Sequence, residues 1–318
     1  MTEPLPQLTH TYQFHSLDST RWQQYQPRPD DIVISTSLKS GTTWMLEIVR
    51  QLVFLGQDVP ERNEVPVGQV STWPDAPWSP VNKMLEKLEA QQYRRFMKTH
   101  LPLDGLPFFP QVKYIVVGRD ARDVAMSMWN HYAGMTDGAF EFHNGTQGRI
   151  GEPLPRPPQD IHAFWRDWIS RGCFDWVSEG YPFQPNLYHT QTWWNYRRLP
   201  NILFVHYNDL KADLVGELRR LAAFLAIPLA NEDLPPLMQA VSLDTMRERE
   251  SRLNKSWSST FTEGAKTFFF KGTNGRWQDV LSAEELALYE EKAAQVLTPE
   301  CRAWLEQGRV ALKERFVP

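Results

Sequence analysis

The sequence holds two cysteines, Cys173 and Cys301, in 318 residues. Two thiols cannot make a disulfide framework or a cysteine-rich zinc site, so a reducing, cytoplasmic compartment is expected. Long hydrophobic runs are also missing. The longest, such as residues 114–117, are far short of the roughly 20 residues that span a bilayer. Residues 1–10 carry Glu3 and two prolines and lack a basic stretch followed by an apolar one, so neither export nor a transmembrane segment is predicted. Neither charge dominates: 34 basic against 38 acidic residues leave −4. Such a chain is a poor general binder of nucleic acid or anionic membrane, so any anion must be held by a local site. No repeat of 20–50 residues is visible, which excludes solenoids and propellers. An apolar fraction of 42% with 13 Trp and 17 Phe is enough to fill a sizeable core, which excludes global disorder.

Against that background β and α signals alternate. Residues 31–36 form a β-branched run, followed by a polar loop at 37–43 and a helical pattern over 44–55 with Met45, Ile48, Val49 and Leu52 on one face. Further strands are predicted at 95–99, 112–117 and 201–206, with helices at about 121–132 and 215–225. The strands are continuous apolar runs, as when helices cover both faces. The expected fold is α/β: a single domain over 1–318, its core at about 30–296, with a central parallel β-sheet flanked by helices. Segments 60–80, 134–158 and 247–277 break the rhythm and are expected to be irregular and lid-like.

Three segments carry chemistry. The strand-to-helix loop at 39–43 reads Lys-Ser-Gly-Thr-Thr. Backbone N–H groups at a helix start suit a phosphate; Gly41 permits close approach, Ser40, Thr42 and Thr43 add hydroxyls, and Lys39 adds a cation. The loop is P-loop-like but is not a Walker A motif, which places a glycine before Gly-Lys-Ser/Thr. At the end of the second strand, Lys98-Thr-His100 brings a histidine to where open α/β sheets place ligands; it suits a general base and equally a structural role. After the third strand, Arg119 and Ser127 could reach a second phosphate. Arg122 and Asp123 read as solvent-facing or capping charges.

Together these segments resemble the cytosolic-type sulfotransferases that use 3′-phosphoadenosine-5′-phosphosulfate (PAPS). The family pattern Lys-Ser-Gly-Thr-Thr-Trp is matched at 39–44, Lys-Thr-His-Leu-Pro at 98–102, and Arg with Ser eight residues on at Arg119 and Ser127. Tyr-Asn-Asp-Leu-Lys at 207–211 is similar to the family's Tyr-Glu-Asp-Met-Lys. Phe-Lys-Gly-Thr-Asn-Gly-Arg-Trp at 270–277 is similar to Arg-Lys-Gly-x-x-Gly-Asp-Trp. The order holds from about residue 30 to 290.

The resemblance implies sulfuryl transfer from PAPS to an acceptor hydroxyl, leaving PAP (3′-phosphoadenosine-5′-phosphate), without a metal. It implies that Lys39, Ser40, Gly41, Thr42 and Thr43 hold the 5′-phosphosulfate and that Trp44 stacks on adenine, although a core role would suit Trp44 too. Arg119 and Ser127 would hold the 3′-phosphate, with Tyr207, Ser242, Leu243 and Met246 lining the nucleotide pocket and Phe270, Lys271 and Gly272 closing it. His100 would be the base, and Lys39 and Lys98 would stabilise developing charge.

Phe270 stands where the family has an arginine for the 3′-phosphate; Arg276, Arg249 and Lys266 are candidates to replace it. Leu243 replaces an aromatic residue. The family's dimerisation motif would fall at Gln278, Ser282, Ala283 and Ala287 and is not matched. Trp73, Trp78, Phe140 and Phe142, with Trp129, fit either an acceptor pocket for a phenol, a hydrophobic alcohol or a lipid-like hydroxyl, or ordinary core. A nucleotide kinase is the alternative enzyme, and a non-catalytic nucleotide-binding relative the alternative outside enzymes.

Overall fold

Short β-branched runs buried on both faces form the centre of the molecule. The computed structural model describes residues 4–312, so the ends of the expected 1–318 span lie outside the described residues. A small antiparallel hairpin pairs β1 (Gln13–Phe14) with β2 (Leu17–Asp18). The main sheet contains β3 (Ile32–Thr36), β4 (Phe96–Thr99), β5 (Lys113–Gly118) and β6 (Ile202–His206), all parallel, in the order β4-β3-β5-β6. Every residue of β3 is buried. Helices on both faces leave no side of this strand for polar alternation.

The longer helices are α1 (Thr42–Val53), α2 (Val81–Ala90), α3 (Ala121–Ala133), α4 (Asp137–Gly145), α5 (Ile161–Ser170), α6 (Leu187–Trp194), α7 (Leu214–Phe224), α8 (Leu243–Leu253), α9 (Ala283–Val296) and α10 (Pro299–Gln307). On α1, Met45, Ile48, Val49 and Leu52 are at most 1% exposed and pack with Ile32, Ile34 and Ile115 of the sheet. Each such side chain contributes roughly 1.5–3 kcal/mol through burial. Among the described residues no helix is long and apolar enough to cross a membrane.

Two expectations need correction. The lid-like segments are not irregular throughout: α4 occupies 137–145, and short helices stand at Pro60–Asn63, Val67–Val70, Trp257–Thr260 and Ala265–Phe268. Segment 247–277 opens inside α8, whose buried face carries Met246, Arg249 and Glu250, so charged residues replace the apolar stripe that marks a helix. Arg122 and Asp123 are not solvent-facing. Asp120 is the residue that caps α3, and Arg122 bonds to it at 2.7 Å while lying between the rings of Trp277 and Tyr289. The buried Asp123 carboxylate accepts from the Gly275 N–H at 2.7 Å.

Chain order explains where a ligand can enter. The connection after β3 runs to β4 on one side, and the connection after β5 runs to β6 on the other. The crevice between the C-terminal ends of β3 and β5 is therefore a topological switch point, where open α/β sheets bind ligands. Beneath it, the Trp304 indole of α10 lies under the end of β5. A Cβ added at Gly118 would come within 2.3 Å of that ring.

Candidate active site

The ends of the four parallel strands open into one cavity of about 920 Å³. β3 delivers the loop with Lys39 and Gly41, β4 delivers Lys98 and His100, β5 delivers Arg119, and β6 delivers Tyr207. Lys39 and Gly41 adopt positive φ, 65° and 109°. Gly41 is needed twice over, because a Cβ there would also sit 3.0 Å from the Tyr207 ring. The turn is tied down by Asn186 donating to Ser37 Oγ at 2.6 Å, and by a 2.6 Å bond between the hydroxyls of Ser37 and Ser40.

Six cations line the cavity: Lys39, Lys98, Arg119, Lys211, Lys271 and Arg276. Among the described residues Glu250 is the one carboxylate lining it. Glu250 is already engaged, accepting from the Val67 N–H at 3.0 Å and from Trp257 Nε1 at 3.2 Å. Burial pushes Lys39 down to about 7, helped by the charges of Arg119 and Lys98. It pushes Lys98 down to about 8, against the pull of Asp75. Six lining cations against one lining carboxylate, in a chain of net charge −4, mark a site for a multiply charged anion.

His100 is aimed by its backbone partner. Its Nδ1 donates to the Thr36 carbonyl at 2.8 Å, which leaves the lone pair on Nε2. Burial first, then Lys98, lowers it to about 3, so the ring is neutral. Its edge meets the Trp73 ring at 5.0 Å, and Trp73 also carries Lys98 4.2 Å from its centroid.

Asp75, invisible as a functional residue in the sequence, organises this corner. It is fully buried and accepts from Trp22 Nε1 at 2.8 Å and Trp73 Nε1 at 2.9 Å. Its position inside the Pro/Trp-rich segment 60–80 was the available signal.

Arg119 is held by three segments. It donates to the Lys39 carbonyl at 3.1 Å, the Thr273 carbonyl at 3.1 Å and Asn274 Oδ1 at 2.9 Å, and lies 4.4 Å from the centroid of the Tyr207 ring. Tyr207 and Lys211 both donate to the Gly272 carbonyl, at 3.3 and 2.9 Å. Ser127, Thr43, Trp44, Ser242, Leu243, Met246, Phe270, Lys271 and Gly272 line the same cavity.

Of the three arginine replacements, Arg249 is consumed by a buried ion pair with Glu47, and exposed Lys266 pairs with Glu263. Arg276 lines the cavity 5.0 Å from the Phe270 ring centroid. Burial and then the charge of Arg119 lower it.

Not every expected residue faces the cavity. Ser40 is fully buried and does not line it, while Thr42 lines it with its hydroxyl bonded to Thr36 Oγ1 at 2.6 Å. Trp73, Trp78 and Phe142 do line it. Phe140 is core, packed on Tyr132 and under the Arg156 guanidinium, and Trp129 packs against Phe164. His131, His143 and Gln184 line the cavity without having been anticipated; isolated residues of these types carry no spacing signal.

The sulfotransferase domain family matches residues 29–298. A glycolipid sulfotransferase of Mycobacterium bovis is 36% identical over 306 residues, covering 92% of each chain, and one of Mycobacterium tuberculosis is 35% identical over 305 residues, again covering 92% of each. Among solved structures, a mouse sulfotransferase complexed with PAP has a TM-score of 0.64 at 20% identity, covering 92% of this chain and 91% of that one. Retinol dehydratase with androsterone and PAP has a TM-score of 0.66 at 22% identity, covering 86% and 82%. These structural likenesses establish the shared fold.

Proposed function

The chain belongs to the sulfotransferase family, and from that premise we propose that it moves the sulfuryl group of PAPS to the hydroxyl of a lipid-like acceptor, with His100 as base. The observation that carries this reading is the His100 Nδ1 bond to the Thr36 carbonyl, with Lys39 and Lys98 lining the same cavity. The residues present fit PAPS: cations outnumber the single lining carboxylate, the glycine turn leaves room at the start of α1, and Trp44 Nε1 has no partner within the protein.

In this reading His100 Nε2 takes the proton of the acceptor hydroxyl as its oxygen bonds to sulfur. The bond from sulfur to the 5′-phosphate oxygen breaks, and the electron pair stays on that oxygen. Lys39, with Lys98 beside it, offsets the charge that grows there. Burial is the larger cause of the low value of His100 and the Lys98 charge the smaller; in this reading the negative charge of bound phosphate offsets the second and strengthens the base. Arg119 and Ser127 hold the 3′-phosphate, and Arg276 supplies the guanidinium that Phe270 does not.

The acceptor reading is supported by the aromatic wall formed by Trp73, Trp78 and Phe142, and by relatives named as glycolipid sulfotransferases. A cytoplasmic location is part of the same proposal. Transfer of radiolabelled sulfate from PAPS to a panel of hydroxyl compounds tests it: label should appear in an amphipathic alcohol. Label in none of the panel, with PAP bound normally, would overturn the activity.

A further inference from the structure

A carboxylate that the chemistry above does not use lies behind the donor loop. Glu179 is 0% exposed. Its two oxygens accept backbone N–H groups, Oε2 from Asn186 at 3.0 Å and Oε1 from Tyr188 at 3.1 Å. Burial pushes it up to about 7, against those bonds and, more weakly, the charge of Lys292. Burying a carboxylate is costly, and this one meets the N–H groups that open α6. The residue at the head of that helix, Asn186, is of a type that commonly caps a helix with its own side chain. Here it makes no cap bond. Glu179 serves the helix start instead, and the Asn186 side chain turns away from it: Nδ2 donates to Ser37 Oγ at 2.6 Å, and Ser37 shares a 2.6 Å bond with Ser40.

The turn it reaches is one that needs holding. Lys39 has a side chain and yet stands at φ 65°, a conformation that persists only where the surroundings impose it. α6 also meets both strands that lead to the reacting centre. His189 Nε2 bonds with Ser35 Oγ of β3 at 2.9 Å. Trp193 Nε1 donates at 3.2 Å to the carbonyl of Leu101, the residue after His100. The bond between Glu179 and Asn186 closes residues 179–186 into a loop, and Phe183 and Gln184 of that loop line the cavity.

Resting on the reading of loop 39–43 as the seat of the 5′-phosphosulfate, we propose that Glu179 is a positioning residue for the donor: it holds the start of α6, which frees Asn186 to fix the Lys39 turn. Glu179 itself touches neither nucleotide nor acceptor. Its action runs through two hydrogen-bonded links, from carboxylate to helix start and from the Asn186 amide to the Ser37–Ser40 hydroxyl pair. Glutamine at 179 keeps the size but has one acceptor oxygen for two N–H donors. The helix start then loses a bond, Asn186 is released from its place, and the turn loses its tie. The effect is confined to the part of the ligand that the turn holds.

The test is calorimetric affinity for PAP and for adenosine 3′-phosphate, which lacks the 5′-phosphate, in wild type, Glu179→Gln, Asn186→Ala and the double variant. Each single variant should weaken PAP about tenfold and leave adenosine 3′-phosphate within about twofold. The double variant should lose no more than the larger single loss, because both changes break one chain of contacts. If Glu179→Gln does not fold, Glu179→Asp, too short to reach both N–H groups, takes its place in the cycle. Single losses that multiply in the double variant overturn the proposal, and so does an equal loss for both ligands, which would make Glu179 a residue of general stability. Normal PAP affinity in Asn186→Ala overturns it whatever the Glu179 variants do. A wild type that binds PAP no better than adenosine 3′-phosphate would instead overturn the reading of loop 39–43 on which the proposal rests.

Discussion

At the donor end of the cavity, Arg119 is clamped by two carbonyls and an amide oxygen from segments 39 and 273–274. At the acceptor end the wall is aromatic, with Trp73 against Trp78 at 4.9 Å and Trp78 against Phe142 at 5.9 Å. The donor end is thus braced by the protein's own hydrogen bonds and lined by cations. The acceptor end offers apolar faces, and its outermost ring, Phe142, is 56% exposed. A cationic socket suits a ligand that every turnover shares, whereas an aromatic wall sorts the second ligand by shape. Donor-end changes should therefore act alike on all acceptors, and acceptor-end changes should alter the choice among them.

The strongest test of that division is His100→Ala, on the border between the ends. Turnover should fall about 10²–10⁴-fold for every acceptor, while calorimetry still shows PAP binding. Lys39→Ala should lower kcat by about 10²–10³-fold and weaken PAP binding much less, because its charge matters most as the leaving oxygen develops. Equal losses in rate and affinity would make Lys39 an anchor only.

Arg276→Ala should weaken PAP binding about tenfold or more, the worth of a charge-assisted hydrogen bond. Phe270→Arg should gain little, because Arg276 already lies against that ring. A large gain from Phe270→Arg with no loss from Arg276→Ala would remove Arg276 from the donor end.

A subtler effect follows from Lys39 at about 7 and Lys98 at about 8. Phosphate charge raises both, so at pH 8 the bound form holds more protons than the free one. PAP binding should take up roughly one proton there, read from calorimetry in buffers of different ionisation enthalpy. Uptake should fade toward pH 6, where both lysines are charged already, and affinity should decline as pH rises through 7 to 8. The smallest expected effect is that of EDTA, which should leave activity unchanged if lysines provide the electrophilic stabilisation; strict Mg²⁺ dependence would favour the kinase alternative.

The two ends also differ in how far they could be read from the sequence. Lys39–Thr43, Lys98–His100 and Arg119 sit on strand ends in contiguous motifs, and the strands stand out as β-branched runs. The rest of the cavity lining gathers Ser16, His131, His143 and Gln184 from segments that meet only through packing, so no local pattern announces it. Phe140 and Phe142 have the same composition signal, yet α4 turns the first into the core and the second to the cavity. That helix was itself hidden by Gly138 and Gly145, and α8 by the charges on its buried face. Arg276 could be named as one of three candidates, but only the ion pairs of Arg249 and Lys266 reduced the three to one.

The Trp304 ring beneath Gly118 reaches further than its own helix. It supports the last residue of β5, immediately before Arg119, and the neighbouring Leu305 carbonyl receives His206 Nε2 at 2.9 Å, immediately before Tyr207. Two of the residues facing the nucleotide end thus stand on a foundation laid after residue 298, where the family match stops. A fragment trimmed to the matched boundary would keep every motif residue and lose the floor under two of them. The packed unit of this chain runs past residue 298.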